Sequence, residues 1–413
     1  MKKRFLISLF LVASMSFAFA QKYDKAKFSE YEPGFYQNFI MKDINAVNEQ
    51  LERKEIDKRF EMDHGGLNLP NKVKLYKSEW HTPVISQGNG GSCWAYSTVS
   101  MYETEVKRLQ KKEVKLSEPY VVYWEYVEKA KGFLDSRGKS LFSQGSEGNA
   151  VARIFEKYGV VPASAYSGLL HGRKYHSHEE MFNEMEAFLQ SVKKQNMWNE
   201  NFVLETVKDI MNKHIGVPPT KFTVDGKEYT PKTYLSDYVK INPNDYVEIL
   251  SYKQEPYWQQ VEYKVPDNWW HSTDYYNVPL DDFMNIVKTA IKNGYTMSIG
   301  GDVSEAGFSR ETNVALVPEF DIPSQFINEN ARQFRFANET TTDDHGMHLV
   351  GYYEVDGITW FLIKDSSSGS RNIDQNSPEF GYYFFHQDYV KLKMMGFTVH
   401  KDAVKDILTK FKK

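Results

Sequence analysis

The sequence contains a single cysteine, Cys93, in the stretch Ser86 to Thr98, which reads Ser-Gln-Gly-Asn-Gly-Gly-Ser-Cys-Trp-Ala-Tyr-Ser-Thr. A lone cysteine is ordinarily an inert buried hydrophobe. Here three neighbouring features argue for chemistry instead. Gly88, Gly90 and Gly91 give a loop whose backbone can turn sharply and approach another chain closely. Ala95, Val99, Tyr102, Val106 and Leu109 then recur at helical spacing, so Cys93 opens an amphipathic helix. The positive end of that helix dipole favours a thiolate nucleophile over a neutral thiol. On the near side of the loop, the Gln87 amide and the Cys93 backbone N–H could form an oxyanion hole, worth roughly 3–4 kcal/mol.

A thiolate nucleophile needs an imidazole to hold it as an ion pair and to protonate the leaving group, and a third group to orient that imidazole. Met347–Glu354 and Ile358–Lys364 alternate and are rich in aromatic and branched residues, and Asp356-Gly357 between them is a two-residue hairpin signal. Folding there brings His345 and His348 back beside Asp365. In an ideal hairpin His348 lies directly opposite Asp365, whereas His345 needs strand fraying or a bulge to reach it. Spacing therefore slightly favours His348 and leaves the choice open. A zinc site built from Asp343, Asp344, His345 and His348 lacks a recognised ligand pattern. No metal or organic cofactor is expected.

The elements that must position these groups follow from pattern. Residues 1–20 carry Lys2, Lys3 and Arg4, an apolar run and a small-x-small end, which reads as a secretory signal peptide. The mature protein is then expected to be secreted or periplasmic, without stable membrane insertion. Residues 21–71 read as a polar N-terminal extension and 72–413 as the main domain, with an insertion at about 168–278. Removing the three N-terminal cations takes the formal charge from -4 to about -7. That mild acidity argues against nucleic acid as a partner. One cysteine allows no internal disulfide. Helices are expected after Cys93 and Ser117 and at Ala150–Lys157, His178–Lys193 and Phe202–Lys213, with a further one, Asp281–Asn293, in the last third. Strands dominate the last third, giving an α+β class. The Tyr/Trp-rich stretch Tyr246–Tyr276 suits core packing better than stacking on sugars, although a non-catalytic glycan- or peptide-binding module is the rival reading.

Thr82-Pro83-Val84 followed by Gln87-Gly88, Gly91-Ser92-Cys93-Trp94-Ala95-Tyr96-Ser97 resembles the signature of papain-like cysteine peptidases. Asp344-His345-Gly346 with Gly351-Tyr352 resembles the family's histidine strand, and Ile363-Lys364-Asp365-Ser366 its third-member segment, where Asn is usual. Leu116–Trp124, Glu156–Pro162, Pro218-Pro219, Asn277–Leu280 and Gly300–Val303 are similar to the bleomycin hydrolase and aminopeptidase C branch. The resemblance implies a two-lobed fold, with a helical lobe and an antiparallel β lobe, carrying a mainly helical insertion. It also implies peptide substrates, an aminopeptidase in preference to an endopeptidase, and a homo-oligomer, hexameric in the branch. It assigns Cys93 as nucleophile, His345 as acid/base, Asp365 as its orienting partner and Gln87 to the oxyanion, with Gly145, Ser146 and Trp94 lining substrate. Ser146 stands where the family has a second glycine. The branch's C-terminal arm, which holds the substrate's amino terminus, would begin near Phe411-Lys412-Lys413.

Overall fold

A computed structural model describes residues 60–411 apart from 171 and 368–375. The expected signal peptide and most of the expected extension lie outside the described residues. One compact unit begins at Phe60. Residues 60–71 already belong to it, through the Met62 N–H to Ala306 carbonyl bond (2.8 Å) and the His64 Nδ1–Thr312 hydroxyl bond (2.8 Å).

Five helices build one lobe: α1 (Cys93–Gln110), α2 (Glu118–Asp135), α3 (Gly148–Tyr158), α4 (Glu179–Lys194) and α5 (Glu200–Ile215). Ser117 caps α2 by accepting the Tyr120 N–H, with Pro119 in the first turn, as its sequence indicates. A further helix, α6 (Leu280–Lys292), backs the other lobe. That lobe is an 11-stranded sheet among the described residues. Its central strands are β1 (Tyr246–Leu250), β2 (Met297–Gly301), β3 (His345–Val355), β4 (Ile358–Lys364), β5 (Tyr382–His386) and β6 (Met394–His400). They run β1-β6-β2-β3-β4-β5 across the sheet, with every adjacent pair antiparallel.

The expected insertion is only half helical. Residues 179–215 supply α4 and α5, but β1, Gln259–Val261 and Tyr275–Asn277 continue the main sheet beyond β6. Branched and aromatic residues suit a pleated, half-buried surface, and Tyr246, Ile249, Leu250, Tyr263 and Tyr275 are all buried there. The aromatic-rich stretch is therefore largely core.

Helix α1 lies between the lobes, and every residue from Trp94 to Val106 is buried. The amphipathic pattern expected for it gives way to burial on all sides. Most of its polar side chains tolerate this because they find partners, the buried Tyr102 hydroxyl being an exception. The Thr98 hydroxyl bonds Ser298 of β2 (2.9 Å), Ser100 bonds His348 of β3 (2.9 Å), and Glu103 accepts from Thr82 (2.5 Å), Lys115 (2.9 Å) and the Leu116 N–H (2.8 Å).

A second buried carboxylate ties α2 to the far loops. Glu125 is fully buried and accepts from Ser146 (2.8 Å), Trp269 Nε1 (2.7 Å) and Arg153 (2.5 Å). Removing it leaves three donors without an acceptor, one of them a guanidinium. Glu125→Ala is expected to cost about 3–5 kcal/mol of stability. Urea unfolding monitored by tryptophan fluorescence checks this, and a loss below about 1 kcal/mol would contradict it.

Candidate active site

Cys93 is the first residue of α1, following a Ser92 cap that makes no side-chain capping bond. The loop before it is held from two sides. The Gly91 N–H donates to Gln144 Oε1 (2.8 Å), and the Gln87 amide donates to the Gly90 carbonyl (2.8 Å). Gly88 has φ +70, and a Cβ there would fall 2.2 Å from the His176 carbonyl, so only glycine fits that turn.

The hairpin forms at Asp356-Gly357, and its register decides between the two histidines. Pairing runs from Val355↔Ile358 to Gly351↔Leu362, then shifts by one residue to Leu349↔Ile363 and His348↔Lys364. A one-residue shift exchanges the faces of a strand. His348 is thereby paired with Lys364 and taken off the face of Asp365, contrary to the ideal-hairpin spacing. The bulge lets His345, at the start of β3, meet Asp365 just past the end of β4. His345 Nε2 lies 2.6 Å from Asp365 Oδ1, with only 9% and 1% of the two side chains exposed. Cys93 lines the same cleft as His345 and helps to raise its pKa, and with Nε2 taken by Asp365 it is Nδ1 that is left for the thiol.

His348 is held elsewhere. Its Nδ1 bonds Ser100, which also receives the Lys364 ammonium at 2.8 Å. Burial, with Lys364 beside it, pushes its pKa well below the ordinary imidazole value. A neutral histidine in a buried polar network is a structural residue.

His345 behaves in the opposite way. Burial disfavours its imidazolium, but the Asp365 carboxylate outweighs that penalty and, with Cys93, holds the pKa well above ordinary. Burial would likewise raise Asp365, but His345 and then the Ser367 hydroxyl and N–H bring it down to about 2. The stability contributed by Asp365 is present above its ordinary 3.8 and is lost as pH falls through about 2. That contributed by His345 is complete below 6.5 and is lost as pH rises through its raised value.

Gln87 is 8% exposed. Its backbone N–H donates to the Ser366 carbonyl (2.9 Å) and its Oε1 accepts the Ser366 hydroxyl (2.7 Å), so it ties the cysteine loop to the residue after Asp365. One of its two amide hydrogens is given to the Gly90 carbonyl.

The cleft, open to solvent, is lined by Cys93, His345, Trp94, Ser146 and residues of both lobes. The Trp94 indole donates to the Gln144 carbonyl (3.2 Å). The Ser146 hydroxyl is committed to Glu125, so only its backbone and Cβ are left for a ligand. Gly145 is not among the lining residues. A Cβ there would sit 2.1 Å from the Asp267 carboxylate, so a larger residue would have to displace that side chain, and the Gly145 carbonyl accepts from the Lys129 ammonium.

Sequence reasoning missed four acids in the same lining. Glu147, Glu248 and Asp267 were not singled out, and Asp343 entered only as a zinc ligand. Glu147 next to Ser146, and Asp343 two residues before His345, were findable by proximity to the motifs. Glu248 and Asp267 had no such marker.

A cysteine at a helix start, sharing a cleft with a buried imidazole–carboxylate pair where a helical lobe meets an antiparallel sheet, defines a papain-like cysteine peptidase. The chain belongs to the Peptidase C1-like family, whose sequence profile matches residues 27–413. Among similar proteins is Aminopeptidase C of Lactococcus lactis subsp. cremoris, 21% identical over 92% of this chain and 94% of that one. Another is the mitochondrial Cysteine proteinase 1 of Saccharomyces cerevisiae (strain YJM789), 21% identical over 83% and 82%. The crystal structure of PepW from Lactobacillus rhamnosis HN001 superposes with a TM-score of 0.65, covering 93% of this chain and 97% of that one at 19% identity.

Asp365→Asn removes the charge that sustains the His345 imidazolium. The alkaline limb of the kcat/KM pH profile is expected to move to lower pH, with less effect on the acid side. A profile unchanged from wild type would contradict the electrostatic role given to Asp365.

Proposed function

We propose that the protein is an exported aminopeptidase that uses Cys93 as nucleophile, His345 as general acid/base and Asp365 as the residue orienting the imidazole. The observation that carries this reading is the buried 2.6 Å His345–Asp365 pair lying with Cys93 in one cleft. Aminopeptidase rather than endopeptidase is favoured by the near full-length relatives that bear the name Aminopeptidase C. The sequence of residues 1–20 supports export.

The Cys93 thiolate attacks the carbonyl carbon of the peptide bond, and the carbonyl electron pair moves to oxygen. The Cys93 N–H, in the first turn where a helix leaves its donors unpaired, and the remaining Gln87 amide hydrogen stabilise that oxyanion. As the C–N bond breaks, imidazolium Nδ1 gives its proton to the departing amine and a thioester remains. Neutral imidazole then takes a proton from water as the water oxygen attacks the thioester. Collapse expels the Cys93 sulfur and releases the acid. Asp365 accepts from Nε2–H throughout, which keeps Nδ1 directed at the sulfur. The chemistry calls for no metal or organic cofactor.

A ladder of peptides with free and acetylated amino termini tests the assignment. The free series is expected to be cleaved at least ~10²-fold faster in kcat/KM, and Cys93→Ala to lower either rate by at least ~10⁴-fold. Equal cleavage of both series would replace aminopeptidase by endopeptidase, and full activity in Cys93→Ala would remove the nucleophile.

A further inference from the structure

One face of α2 carries a buried cation that the proposed chemistry does not use. Glu125, Lys129 and Gly132 stand at positions i, i+4 and i+7, on the same face of the helix. Glu125 accepts from Ser146 and Trp269. Gly132 makes room for Trp269, since a Cβ there would fall 2.3 Å from the indole ring. Lys129 lies between them and is fully buried. Taking an ammonium out of water is costly unless its charge and its donors are met. Among the described residues Lys129 makes no direct ion pair, and its donors go to one loop instead. Nζ bonds the Ser143 carbonyl (3.0 Å), the Ser143 hydroxyl (3.2 Å) and the Gly145 carbonyl.

That loop leads into the cleft wall beside Cys93. Residues 143 and 145 give their carbonyls to Lys129, while Gln144 between them turns to the cysteine loop. The Gln144 carbonyl accepts the Trp94 indole N–H (3.2 Å) and its Oε1 accepts the Gly91 N–H (2.8 Å). Ser146, Glu147 and Gly148 then line the cleft. Asp267, from the loop that carries Trp269, lines it too, and its Oδ1 is 3.5 Å from the Ser143 hydroxyl. One ammonium therefore stands where two cleft-lining loops meet. Its bonds to neutral acceptors are charge-assisted, roughly twice as strong as those of a neutral donor.

We propose that Lys129 is a positioning residue for the peptidase reaction, which fixes the wall Ser143–Gly148 and so sets substrate affinity without touching substrate. This rests on the peptidase reading of the cleft and holds for an aminopeptidase or an endopeptidase alike. Cys93 is held independently, by α1 and by the bonds of Gln87 to Gly90 and of Asn89 to His176. Loosening the wall therefore weakens binding and leaves the nucleophile reactive.

Wild type, Lys129→Met and Lys129→Gln would be compared on alanyl-aminomethylcoumarin and acetyl-alanyl-alanyl-aminomethylcoumarin. Cys93 alkylation by iodoacetamide and thermal unfolding would be measured alongside. Methionine keeps the stem without a donor, and glutamine keeps two donors without the charge. On whichever substrate wild type cleaves, Lys129→Met is expected to raise KM roughly tenfold or more, with kcat within about threefold. Alkylation by iodoacetamide, too small to need the wall, is expected to stay within about twofold of wild type, and Lys129→Gln to give an intermediate KM. An unchanged KM in Lys129→Met overturns the proposal. Loss of kcat, alkylation and unfolding temperature together makes Lys129 a residue of the fold and overturns it too. If Lys129→Met does not fold, Lys129→Gln carries the test, and wild-type KM or failure to fold in that variant overturns the proposal. Wild type that cleaves neither substrate removes the peptidase reading itself, whereas cleavage with an unmoved KM removes only the role of Lys129.

Discussion

A buried imidazole and a buried carboxylate are each costly alone, and neither is stable here without the other. Asp365 is 2% exposed yet held ionised, and His345 keeps a proton against burial because that carboxylate is 2.6 Å away. Much of the surrounding architecture maintains this one contact. The register shift in β3 delivers His345 to it, the Ser367 hydroxyl and N–H hold the other carboxylate oxygen, and Gln87 fastens the cysteine loop to Ser366 next door. Helix α1, clamped along its buried polar face by β2 and β3, brings Cys93 into the cleft that His345 lines.

A second constraint is the buried Glu125, which lets Ser146 stand at a cleft-lining position. The Ser146 hydroxyl is drawn back to Glu125 and out of the substrate's path.

Much of this was legible in the sequence, and the limits have physical causes. The glycine loop, the helix starting at Cys93, the capped α2 and the Asp356-Gly357 hairpin are local features, and each forms where residue spacing places it. The histidine choice was not local. Spacing favoured His348, and a single bulge of the kind that period-2 counting cannot foresee reversed it. The strands of residues 246–277 were hidden because short aromatic runs do not announce whether they join a distant sheet. Glu248 and Asp267 reach the cleft only through tertiary folding, so nothing in their neighbourhoods marks them. The all-round burial of α1 was equally invisible, since its serines, threonines and glutamates look like a solvent face until β2, β3 and Lys115 are in place.

The most direct test of the central claim is covalent. Folded protein would be treated with an epoxide inhibitor selective for thiol peptidases, and the adduct located by intact mass and peptide mapping, with the His345→Ala variant alongside. One adduct per chain at Cys93, forming rapidly in wild type and lost or greatly slowed in His345→Ala, is the result expected of a thiolate held by this imidazole. No adduct in the folded protein, or labelling at the same rate with and without His345, would contradict it.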